Sequence, residues 1–177
     1  MYRKRYGKMT FRAWLNAEME QSGVGWMVMG GVLTALVFVV VQFLSGSPYR
    51  VMLELNVADL VPPVWLLILL RFLAFLTVGC ALGLVLGTRI CGCDTEKYKG
   101  GMLCLLLIAA ELSWYPTLFV AGAVVISLLE AILALFFSVC TTVCFFRVSR
   151  FSGWILILHN VWLLYLLILT VRIFLRN

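Results

Sequence analysis

Charged side chains are scarce in this chain: Asp, Glu, Lys and Arg make up 12% of 177 residues, about half the share of a soluble domain. A soluble fold could not cover its surface with so few. A bilayer lets outward side chains stay apolar. The sequence also lacks a phosphate-binding glycine loop and a nucleophile elbow. It holds one histidine, His159, with no Ser or Cys partner by spacing. No soluble-enzyme motif is therefore present, and no catalytic residue is assigned. The six cysteines form no disulfide framework. Cys80, Cys104, Cys140 and Cys144 lie in apolar runs, where a thiol behaves as a small hydrophobe. Cys91 and Cys93 share a loop with no further His or Cys nearby, so no metal site is expected. The formal charge is +6, yet the basic residues sit in short clusters between apolar runs. That pattern excludes a continuous nucleic-acid face and fits membrane flanks.

What the chain has is apolar sequence, 64% of its residues. Five runs are each long enough for roughly 30 Å of hydrocarbon, which takes about 20 helical residues. They cover about 26–44, 63–87, 102–120, 123–146 and 154–175. The expected fold is all-α: a five-transmembrane-helix bundle in one domain, 25–177, behind a basic segment, 1–24. No polar loop divides the third run from the fourth. The stretch from Tyr115-Pro116 to Ala121-Gly122 supplies the break, since Pro116 removes a backbone donor and Gly122 permits a reversal. The first run is too long for a signal-peptide core and is read as a retained helix. Residues 10–22 place Phe11, Trp14, Leu15 and Met19 on one face, either an interfacial helix or a frayed tail. The stretch Ser45–Val61 is either a lid over the helix ends or plain connection.

Lys and Arg set the orientation. Arg3, Lys4, Arg5, Lys8, Arg12, Arg89, Lys97, Lys99, Arg147 and Arg150 fall on one side of a five-helix chain. The positive-inside rule then places the N-terminus in the cytoplasm and the C-terminus outside.

Ionisable residues inside spans are costly and usually face protein or water. Here they are Arg71, Glu111, Glu130 and His159. At 1.5 Å per residue, Arg71, Glu130 and Glu111 lie roughly 12 to 15 Å from a helix end, near one level. His159 lies nearer the inner face. The expectation is that Arg71 pairs with Glu111, Glu130 or both. The pair either anchors a ligand cavity, lines a path for ions or protons, or only clamps helices. Trp114 lies one turn beyond Glu111 and Phe75 one turn beyond Arg71. His159, Trp162 and Tyr165 follow one another along the last helix. An aromatic wall with a few polar groups describes many small-molecule pockets, although ordinary packing gives the same pattern. Gly79, Gly83 and Gly87 make a smooth face for close helix approach, within the bundle or in a homodimer.

Several segments together resemble one family. The second span opens with Pro62-Pro63-Val64-Trp65, and Gly79 follows. The third reads Glu111-Leu112-Ser113-Trp114-Tyr115-Pro116-Thr117-Leu118-Phe119. Glu130, Phe146-Arg147-Val148-Ser149-Arg150 and Trp162 follow in order. This is similar to the TspO/MBR family, the tryptophan-rich sensory or translocator proteins, over about residues 48–177. The resemblance implies a cavity for porphyrin, haem or a sterol, with no cofactor required. The matching positions are Arg71, Phe75, Glu111, Trp114, Glu130, His159, Trp162 and Tyr165. It also implies a receptor or sensor in a bacterial cytoplasmic membrane, partnered by lipid and a small hydrophobic ligand. A transporter, a channel and an assembly protein are the alternatives. The departures are Arg71 for a pocket Trp, Glu111 for Asn, Phe75 for Tyr, and Leu158-His159 for Pro-Tyr. They make the implied pocket more polar than is usual.

Overall fold

A computed structural model describes residues 23–45, 62–88 and 94–176. The expected interfacial helix, the lid and the Cys91/Cys93 loop lie outside the described residues. Within them the chain forms α1 (Val24–Ser45), α2 (Val64–Gly87), α3 (Asp94–Phe119), α4 (Val124–Val148) and α5 (Arg150–Arg176). Each is long and apolar enough to cross a bilayer. A helix is what such a sequence must form in lipid, because it satisfies every backbone donor and acceptor within one segment.

Two helices start earlier than hydropathy indicates. α3 begins at Asp94, eight residues before Met102. Asp94 and Glu96 in its first turn oppose the positive end of the helix dipole. At 1.5 Å per residue α3 is about 39 Å long, so its polar opening turns reach past the hydrocarbon. α5 begins at Arg150, not Trp154. The hydroxyl of Ser149 accepts a hydrogen bond from the Ser152 amide at 3.3 Å, as a helix N-cap does. The Ser149 amide also donates to the Phe145 carbonyl, 2.7 Å. One residue thus closes α4 and opens α5.

Pro116 does not end α3, which continues through it to Phe119. The reversal comes later. The amides of Ala121 and Ala123 donate to the carbonyls of Pro116 and Thr117, both at 3.0 Å, while Gly122 takes a φ of 63°. A side chain at that φ would be strained.

Packing contacts run α1–α2, α2–α5, α5–α4 and α4–α3, and α3 touches both α1 and α2. The helices are therefore ordered α1, α2, α5, α4, α3 around the bundle. Gly79 and Gly83 are occupied within the chain. A Cβ at Gly79 would run into the Gly30 carbonyl, and one at Gly83 into the Trp26 carbonyl. α1 lies against this face backbone to backbone, and Thr34 Oγ1 adds a 2.9 Å bond to the Phe75 carbonyl. Gly79 and Gly83 thus serve packing of α1 on α2. α5 is tied to α2 by Ser152 Oγ on the Ala81 carbonyl, 2.7 Å, and to α4 by Asn160 Nδ2 on Thr142 Oγ1, 3.0 Å.

Candidate functional site

The centre of the bundle holds three buried ionisable side chains: Arg71 of α2, Glu111 of α3 and His159 of α5, at 2%, 3% and 1% exposure. Each sits on an otherwise apolar helix face, so only contacts between helices can offset its desolvation. Their arrangement differs from the expected Arg–Glu carboxylate pair. The Arg71 guanidinium donates to the backbone carbonyl of Glu111, 3.2 Å from Nη2. It also lies over the rings of Tyr115, Phe38 and Trp114, at 4.5, 5.4 and 5.6 Å from their centroids. The Glu111 carboxylate turns instead to His159, with Oε2 at 3.4 Å from Nε2, a charge-range contact without hydrogen-bond geometry. A guanidinium is weakly hydrated and stacks well on aromatic faces, which is why rings can take the place of a carboxylate here.

His159 therefore lies at the level of Glu111 in the bundle, deeper along its helix than a start at Trp154 implies. The added turn at the start of α5 accounts for the shift along the helix. Glu130 is not part of this cluster. It is half-buried on α4, where Thr117 Oγ1 donates to its Oε1 at 3.2 Å, two turns along α3 from Glu111. Phe75 stacks on Phe38, with centroids 5.2 Å apart and planes inclined by 25°. Trp114 is buried, and its indole N–H donates to Thr170 Oγ1 at 3.1 Å.

The two remaining expected site residues, together with His159, line open space. A groove of about 470 Å³ runs between α2 and α5. Leu70, Leu73, Ala74 and Thr77 form one wall, and His159, Trp162 and Tyr165 form much of the other. The Trp162 and Tyr165 rings lie 5.6 Å apart. Trp162 Nε1, Tyr165 Oη and both ring nitrogens of His159 are buried and make no hydrogen bond among the described residues. A second groove of about 630 Å³ lies between α1 and α2, lined by Phe38, Phe43, Trp65 and Phe72 among others. Neither groove is lined by Arg71, Phe75, Glu111 or Trp114. Among the described residues no cluster of three His, Cys, Asp or Glu side chains is placed to hold a metal.

Sequence reasoning missed Phe38 and Tyr115 as neighbours of Arg71. Tyr115 is four residues beyond Glu111, one helical turn on the same face, so the spacing did carry that signal. Phe38 lies in a run with no motif, and nothing in the sequence marked it.

A family model described as the TspO/MBR family matches residues 12–176. That match includes the first helix, which the motifs over 48–177 do not reach. No curated protein and no solved structure matches the chain.

Proposed function

The chain belongs to the TspO/MBR family, and on that premise we propose that it is a membrane receptor or sensor holding an amphipathic aromatic ligand, a porphyrin or a sterol, in the α2–α5 groove. One observation carries the reading. A groove of about 470 Å³ falls in the size range of small-molecule sites, roughly 300–1,000 Å³, which are mostly apolar with a few polar groups. Its wall presents an indole N–H, a phenol and an imidazole, none of them hydrogen-bonded among the described residues. Unmade hydrogen bonds at buried groups are costly, and a bound ligand relieves that cost. Trp162 and Tyr165 pack on the ligand's rings, and His159 meets its polar end. Arg71, Phe75, Glu111 and Trp114 form the support behind that wall. Glu130 stands apart from it. The reading requires no cofactor. The Lys and Arg asymmetry supports an orientation with the N-terminus on the cytoplasmic side, and the membrane we propose is a bacterial cytoplasmic one.

The test is a titration of the purified protein with protoporphyrin IX, followed by quenching of tryptophan fluorescence. Trp162→Ala should weaken binding by about tenfold, since an aromatic pair carries about 0.5–1.5 kcal/mol beyond the area it buries. Equal affinity in the two proteins would remove the groove from the site.

A further inference from the structure

Among the described residues the groove has polar atoms but no carboxylate on its walls. The indole N–H of Trp162 can only donate, and it is buried without an acceptor among the described residues. Glu111 stands behind His159, 3.4 Å from the imidazole. Behind Glu111 stands Arg71, which is always charged. The order from the groove inward is therefore imidazole, carboxylate, guanidinium. With His159 neutral and Glu111 ionised, the inner pair already balances to zero. A ligand carboxylate docking on His159 would add an uncompensated negative charge in a medium where that costs several kcal/mol. One proton on the imidazole restores neutrality. The imidazolium then has two N–H donors, one for Glu111 and one for the ligand.

We infer that the α2–α5 groove takes an organic acid, a carboxylate on an apolar body, and binds it together with one proton held by His159 between the ligand and Glu111. This rests on the ligand reading above and adds the chemical class and the proton. The proton comes from solvent and is released again when the acid leaves. The groups around His159 permit this count. α2 contributes Arg71. α3 contributes Glu111, with Tyr115 beside Arg71 and Cys104 near Glu111. α5 contributes Tyr165, on the same wall. The described part of α1 has no titratable side chain. On α4, Glu130 is engaged with Thr117, and Arg147 with Glu96, and Cys144 lies by that same pair. Among the described residues, His159 and Glu111 are the bases beside the groove, and the imidazole is the one on its wall.

The experiment compares protoporphyrin IX with its dimethyl ester, which keeps the ring and removes the acid. Affinities are measured by calorimetry at pH 7.5 in two buffers of different ionisation enthalpy, so that proton uptake is counted directly. The acid should bind at least about tenfold tighter than the ester, the effect of one charge-assisted hydrogen bond, with about one proton taken up. His159→Phe should remove the acid's advantage over the ester, whatever the affinity of each, and abolish the proton uptake. Trp162→Phe keeps the ring and removes the donor, and it should weaken the acid while leaving the proton count unchanged. Equal affinity of acid and ester, or no proton uptake with the acid, overturns this inference and leaves the ligand reading standing. Failure of both porphyrins to bind overturns the ligand reading and this inference with it.

Discussion

Replacing Arg71 by Met removes a charge while keeping most of the side-chain length. Three ring contacts are lost, at 4.5, 5.4 and 5.6 Å, each of about 0.5–2 kcal/mol depending on desolvation. The 3.2 Å bond to the Glu111 carbonyl goes with them, and a bond from a charged donor is of order 1.5–3 kcal/mol. Glu111 is then left with His159 alone. Met recovers part of this by packing in the same aromatic box. Removing one member of a buried charge set costs about 3–5 kcal/mol in other proteins, and Arg71→Met should fall in the lower part of that range. Arg71→Met with Glu111→Gln removes both charges and should regain at least half of the loss. Reversible unfolding in mixed detergent micelles, followed by circular dichroism, measures both. A loss under about 1 kcal/mol for the single variant would sink the argument, as would a double variant less stable than the single one.

Three further outcomes follow from packing. Gly83→Ala drives a Cβ into the Trp26 carbonyl of α1 and should cost about 1–3 kcal/mol by overpacking; Gly101→Ala, which meets nothing within 4 Å, is the control that should stay neutral in the same unfolding assay. Thr170→Val strands the buried indole N–H of Trp114 and should cost about 1–3 kcal/mol, whereas Trp114→Phe combined with Thr170→Val should cost less than the two single changes added together. Arg147→Ala breaks the Glu96 pair, whose arginine is 63% exposed, and should move the melting temperature by no more than a degree or two, an effect that fades as salt is added.

Hydropathy made the five spans legible, because a run such as Val24–Ser45 needs no context to be read as a helix. It could not mark where helices begin beyond the apolar run. Asp94 and Ser149 set those starts through dipole and cap chemistry, and Ser149 was open to reading as an N-cap. The common depth of Arg71 and Glu111 followed from counting residues. The choice of partner did not, because the two side chains turn away from each other: the guanidinium finds rings from α1 and α3, and the carboxylate finds an imidazole from α5. That choice depends on the order of helices around the bundle, which one-dimensional spacing does not contain. The same ignorance left the glycine face of α2 open between α1 and a second copy. Of the residues singled out for a site, His159, Trp162 and Tyr165 share one wall since they follow at three-residue intervals. Glu130 went elsewhere because its helix meets α3 nearer the reversal.

The turn at Gly122 bears on how the chain enters a membrane. The residues joining α3 to α4, Val120 to Ala123, carry no ionisable side chain, and the amides of Val120, Ala121 and Ala123 are already bonded to the carbonyls of Pro116 and Thr117. Carrying this corner through the hydrocarbon exposes few unmet peptide groups and no charge. Every Lys and Arg on the two arms, from Lys97 and Lys99 to Arg147, lies at the opposite tips and never has to cross.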